Sequence, residues 1–157
     1  MRNYIFEIST KPIDDEDGCI GEEMFYDLVG DRCEYVEELK DDEAQEVLNR
    51  LADILNGVCS VNGRELTTLN LDQFLFDWKF TLVHYLDDVG CLHPGFITSV
   101  YKLQLLCEQT HKCVDDLFYL TGWSNSACDY SEFVRYVREL GPDKKLYVGP
   151  RVVAMKI

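Results

Sequence analysis

Basic residues are almost missing from one fifth of this chain. Between positions 14 and 46 only Arg32 and Lys40 carry positive charge, against 15 Asp and Glu residues. That stretch therefore holds 13 of the 14 net negative charges of the 157-residue chain, and the remainder nearly balances, with 14 acids and 13 bases. A basic groove lined with aromatics is absent as well. Arg135, Arg138, Lys144, Lys145, Arg151 and Lys156 lie toward the C-terminus but are interrupted by two acids, Glu139 and Asp143. Direct binding of nucleic acid, which needs concentrated Lys and Arg to neutralise phosphate, is not expected.

Long apolar runs are scarce. The longest uncharged stretch, Val89 to Tyr101, is broken by Gly90, His93, Pro94 and Gly95, and falls short of the ~20 apolar residues of a membrane-spanning helix. Near the N-terminus, Arg2 is followed by Glu7 and then the acidic stretch, so no apolar core of an export signal is expected there. The seven cysteines show no CxxC spacing and are odd in number, which points to reduced thiols and a cytoplasmic setting. There is no GxSxG, HExxH, glycine-rich phosphate loop or dinucleotide fingerprint. His84 lies four residues before Asp88, the spacing of a surface helix pair, and no enzyme activity or cofactor is expected.

What is present argues for a folded chain. Apolar residues make up 46% of the total and 19 residues are aromatic, whereas disorder requires low hydrophobicity together with high charge. The length suits one domain. The expected fold is α+β: a small antiparallel sheet made of an N-terminal strand, a central hairpin and a C-terminal hairpin, packed against four to six helices. Tyr4, Phe6 and Ile8 share one face of the first strand by the two-residue period. Gly21 to Leu28 and Asp31 to Leu39 read as short helices or turns. Asp42 to Asn56 reads as a helix with a capping-box-like start at Asp42 and Gln45 and a glycine, Gly57, after its end. Val58 to Val61 and Arg64 to Thr68 flank Asn62-Gly63, the signature of a type I′ turn. From Leu71 to Val89 the apolar residues cover most of a helix, which predicts a central position. Pro94 opens a further helix through Cys107, helical character resumes from Lys112 to Leu120, and Ser131 to Leu140 is amphipathic. Leu146 to Val148 and Arg151 to Met155 form the C-terminal hairpin around Gly149-Pro150.

Four features bear on function. Asp15-x-Asp17-Gly18 resembles part of a calcium loop, but Ile13 and Met24 stand where the first and last oxygen ligands belong. Cys91, His93, His111 and Cys113 have the ligand types of a zinc site without a familiar spacing. Val114 to Ser124 resembles a helix-turn-helix start, except that Phe118 is too large for its place and Ser124 to Ser131 has no base to meet phosphate. The fourth is the acidic stretch itself. Like charges at helical spacing cost about 0.2 to 0.5 kcal/mol per pair, so the stretch serves either solvation or a partner. Duplex DNA carries about one charge per 1.7 Å, and carboxylates fixed at similar density would fill the same Lys/Arg groove. The expected function is thus an acidic inhibitor or interaction protein that covers the basic nucleic-acid-binding surface of another protein, as anti-defence proteins (anti-CRISPR or anti-restriction) and nuclease immunity proteins do. Glu34, Tyr35, Glu37, Glu38, Asp41 and Asp42, with Glu22 and Glu23, are the expected contacts, Tyr35 as the aromatic anchor. The alternative is a non-catalytic structural or regulatory domain, with or without bound zinc. No membrane partner is expected.

Overall fold

A computed structural model describes residues 2–14, 20–91, 96–111, 116–122 and 125–156. Its centre is a mixed sheet of seven strands in the order β3-β4-β7-β1-β5-β6, with β2 paired to β7 beyond β4. The strands are β1 (Arg2–Ser9), β2 (Tyr35–Glu38), β3 (Cys59–Asn62), β4 (Glu65–Thr68), β5 (Leu117–Thr121), β6 (Ala127–Cys128) and β7 (Lys145–Lys156). β1 and β5 run parallel, with Ile5 opposite Leu117 and Ile8 opposite Leu120; the other pairs are antiparallel. The expected small antiparallel sheet is therefore corrected to a larger mixed one.

Two segments account for the difference. Leu117 to Leu120 was expected to be helical, yet it is a strand buried on both faces: Phe118 and Leu120 enter one core and Leu117 the other. A strand buried on both sides loses the alternation by which strands are recognised. The same finding removes the helix-turn-helix reading. At the C-terminus, Gly149-Pro150 does not turn the chain. β7 continues through it as one 12-residue strand, and the pairing with β1 shifts register between Phe6 and Ile8. Glycine and proline fit such an irregularity, where a side chain or an N–H is not needed.

Helices α1 (Asp41–Asn49), α2 (Leu51–Ile54) and α5 (Tyr130–Leu140) cover one face of the sheet. There Phe6, Ile8, Phe118, Val152 and Ala154 from the strands meet Leu48, Leu51, Phe133 and Val137 from the helices. Phe118 stacks on Phe133 with ring centroids 4.4 Å apart. The opposite face carries a smaller core in which Ile5, Leu117, Val153 and Met155 pack beneath Ile20, Phe25, Cys33 and Val36. The lid of that second core is the acidic segment, including a 3-10 helix over Glu22–Leu28.

Local details refine the expected elements. The helix expected over Asp42 to Asn56 breaks at Arg50 into α1 and α2, and its N-cap is Lys40, with no side-chain capping bond. The hairpin turn is shifted by one residue: Asn62 pairs with Glu65, leaving Gly63-Arg64 as the loop, with positive φ at Gly63 only. Glycine at the first of two loop positions is the requirement of a type II′ turn rather than type I′. α5 begins one residue before the expected Ser131, at Tyr130, with Asp129 as its cap accepting the Glu132 N–H at 2.8 Å.

α3 (Leu71–Gly90) and α4 (Phe96–His111) form a pair that stands largely apart from the sheet, and α3 touches α5 near its start. α3 is not central. Phe76 and Phe80 are 64% and 69% exposed. Among the described residues no helix is long and apolar enough to cross a membrane.

A candidate acidic partner-binding surface

The residues expected to form one helical acidic face lie instead on and around a strand. Tyr35 to Glu38 is β2, hydrogen-bonded to β7 from Tyr35 opposite Lys156 to Glu38 opposite Val153. The segment prefers a strand because Val36 finds Met155 directly across in the second core. Strand geometry sends successive side chains to opposite faces, so Glu37 and Glu38 separate. Glu37 meets Arg2 at 2.7 Å, and Glu38 meets Arg151 at 3.4 Å. The Tyr35 ring lies under the Lys156 ammonium, 5.2 Å from its centroid. Arg2 and Arg151 thus offset the charge of two of the expected contacts, and Lys156 brings a positive charge beside a third. One signal for this was legible beforehand, the basic residues near the two ends of the chain, but only the sheet brings them to β2.

Glu22 does join the cluster. The Leu39 N–H donates to Val152 of β7, so the preceding N–H, that of Glu38, points outward from the pair, and the Glu22 carboxylate accepts it at 3.1 Å. A carboxylate there blocks further strand pairing at an open sheet edge. Glu22 also accepts from the Tyr26 hydroxyl at 3.0 Å, which raises the tyrosine above its ordinary pKa. Glu23, Glu34, Asp41 and Asp42 are exposed. Asp41 and Asp42 occupy the first turn of α1 together with Glu43, where carboxylates favour the positive end of the helix dipole.

A residue that the sequence reading passed over fixes the lid above the second core. Glu7 is fully buried between Phe6 and Ile8. Its carboxylate accepts the Ile20 N–H at 3.1 Å and the Thr121 hydroxyl at 2.7 Å. A charged residue inside an otherwise apolar strand was the available signal, since buried charge persists only where it is hydrogen-bonded.

The metal candidates do not assemble among the described residues. Cys91 is exposed. His93 and Cys113 lie outside the described residues, as does the Asp15-x-Asp17-Gly18 stretch, and the side chain of His111 is likewise not described. No group of three or more His, Cys, Asp or Glu suited to a metal occurs among the described residues. Burial pushes the Cys59 thiol up to about 12 and the Cys128 thiol up to about 11, which keeps both as neutral thiols at physiological pH. His84 is 3.9 Å from Asp88, whose carboxylate also accepts from Ser99. A depression of about 230 Å³ at the ends of β1 and β5 is lined by Thr10, Thr121, Gly122, Tyr136, Glu139 and Leu140, below the ~300 to 1,000 Å³ of small-molecule sites.

Comparison with protein families, curated proteins and solved structures found no match to this chain.

Proposed function

We propose that this chain is a small cytoplasmic inhibitor or interaction protein. Its acidic segment would occupy the basic, nucleic-acid-binding surface of another protein, in the manner of anti-defence or nuclease immunity proteins. The observation that supports the reading is the concentration of 15 acids and two bases in residues 14–46, together with the anchoring of the described part of that segment on the sheet. Phe25, Cys33 and Val36 are buried, so the intervening carboxylates are carried on fixed backbone. The contact set is revised by the ion pairs. Glu34, Asp41 and Asp42, exposed beside β2 and on α1, carry the charge offered to the partner, with Glu23 beyond them. Glu37 and Glu38 contribute less, because Arg2 and Arg151 offset them.

Those same ion pairs favour a second reading, a non-catalytic structural or regulatory domain whose acidic segment serves solubility. The two readings differ in salt dependence. Under the first, a partner captured from the native cell at low ionic strength is displaced by added duplex DNA. Its affinity falls at least tenfold between about 50 and 200 mM salt, and Asp41→Lys with Asp42→Lys abolishes capture. Retention that is indifferent to salt and to DNA rejects the inhibitor reading.

A further inference from the structure

We infer that the exposed ring of Tyr26, with the carboxylates of Glu22 and Glu23 at its polar end, is the docking point for an arginine side chain of a partner protein. The inference rests on the reading proposed above and supplies its anchor. Residues three apart eclipse in a 3-10 helix, so Glu22–Leu28 presents three ridges. Phe25, buried in the second core and edge-on to Tyr119 at 5.8 Å, marks the inward ridge. Glu23 with Tyr26 and Met24 with Asp27 form the two outward ridges, and Val29 follows the last turn. Tyr26 is 55% exposed, Met24 43% and Val29 40%. A hydrogen-bond relay holds the ring: the Glu38 N–H of β2 donates to Glu22 Oε2 at 3.1 Å, and the Tyr26 hydroxyl donates to Glu22 Oε1 at 3.0 Å. That hydroxyl bond first, and then the charges of Glu22 and Glu23, raise the tyrosine's pKa, so both carboxylates lie near the polar end of the ring.

Charge and ring chemistry select the occupant. Three other tyrosines of this chain each carry a cation over the ring, Arg50 over Tyr4 at 6.0 Å, Lys156 over Tyr35 at 5.2 Å and Lys102 over Tyr85 at 5.4 Å. Among the described residues no Lys or Arg lies over Tyr26. Residues 20–38 hold seven acids and one base, Arg32. Arg32 is close enough to Asp129 to help lower its pKa, after the bonds from Glu132 and Ser131, which turns it toward the start of α5. Arg2 and Arg151 offset Glu37 and Glu38, and with all three bases counted four negative charges remain around the 3-10 helix. A cation is therefore attracted, and the surroundings choose its kind. A guanidinium is planar, weakly hydrated and stacks on an aromatic face, whereas an ammonium is compact and strongly hydrated. The arginine stem has Met24 and Val29 to lie along, and its fork meets the carboxylates at the hydroxyl end of the ring. Tyr35, the anchor expected from the sequence, already has Lys156 on its ring. Tyr26 takes that role, because a ring already held in place loses little freedom on binding.

Titration of the full chain with end-capped hexa-arginine and hexa-lysine peptides, followed by calorimetry at about 100 mM NaCl, tests this. The two peptides carry equal charge, so general attraction to an acidic protein affects both alike. Hexa-arginine should bind about threefold to tenfold more tightly. Tyr26→Ala, at an exposed position, should weaken hexa-arginine about fivefold and remove its advantage over hexa-lysine, with an unchanged circular dichroism spectrum. Tyr26→Phe, which keeps the ring, should keep the preference for arginine. Equal affinity of the two peptides for the unsubstituted chain overturns the inference, as does a Tyr26→Ala chain that still prefers hexa-arginine. Self-association of the chain that Tyr26→Ala abolishes overturns it in favour of a second copy as the occupant. The inference and the inhibitor reading fail separately. A DNA-displaceable partner whose capture needs Asp41 and Asp42 but is unaffected by Tyr26→Ala leaves that reading standing and sinks the arginine site, whereas a Tyr26-dependent arginine preference without such a partner does the reverse.

Discussion

Glu7 and Gly149 form the tightest constraint in the sheet. A side chain built on Gly149 would begin 2.7 Å from Glu7 Oε2 and 2.9 Å from Glu7 Cβ, and Glu7 is held by Ile20 and Thr121 rather than free to swing. Gly149→Ala should therefore cost about 1 to 3 kcal/mol, the usual range for overpacking, measured by urea denaturation. A loss of less than half of that would show that Glu7 can move without breaking its two bonds. The need for glycine here is close approach to a neighbouring strand. In the sequence the same Gly-Pro pair reads as a turn, because a local signal for irregular backbone does not say which chain lies across from it.

At the scale of single elements, α5 is the one whose start, face and end were all legible. Asp129 caps it, Phe133 and Val137 are its buried side, and Gly141 follows with φ 81°. The Glu132 N–H bound to Asp129 holds the carboxyl below its ordinary value of 3.8. A carboxyl with a depressed folded-state pKa contributes stability above its unfolded pKa and loses it as pH falls through the folded value. Asp129→Ala should thus destabilise by about 1 kcal/mol at neutral pH, and the difference from the unsubstituted chain should shrink on acidification. Asp129→Asn should show a smaller, pH-independent change. Denaturation curves along a pH series distinguish these, and a constant gap for the alanine variant would mean that the charge is irrelevant to the cap. The neighbouring element, β5, was illegible for the reason that makes it stable. With both faces covered, neither period appears in its side chains.

For the whole molecule, net charge is the dominant long-range feature. Fourteen uncompensated negative charges oppose compaction, while the exposed ion pairs, such as Arg138 with Asp72 and Lys145 with Glu65, are each worth about 0 to 1 kcal/mol. Repulsion outweighs them. Between about 10 and 300 mM NaCl the melting temperature should rise by about 2 to 4 °C, corresponding to roughly 1 kcal/mol at this chain length. A fall would mean that pairs such as Glu37 with Arg2 contribute more than the repulsion does.

Composition and neighbours a few residues apart were enough to read the segregation of charge, β1, the β3–β4 hairpin within one residue of register, α5 within one residue of its start, and the extent of α3. The tertiary structure decided what depends on residues far apart in the chain. Arg2 and Arg151 reach Glu37 and Glu38 because β2 joins β7 at one sheet edge. Phe76, Phe80 and Leu86 of α3 face outward because the sheet and the other helices complete the main core with only Leu71 from the described part of α3. Local periodicity reports that a side chain has an apolar neighbour to seek, and only the packed chain determines whether that neighbour lies within the same molecule.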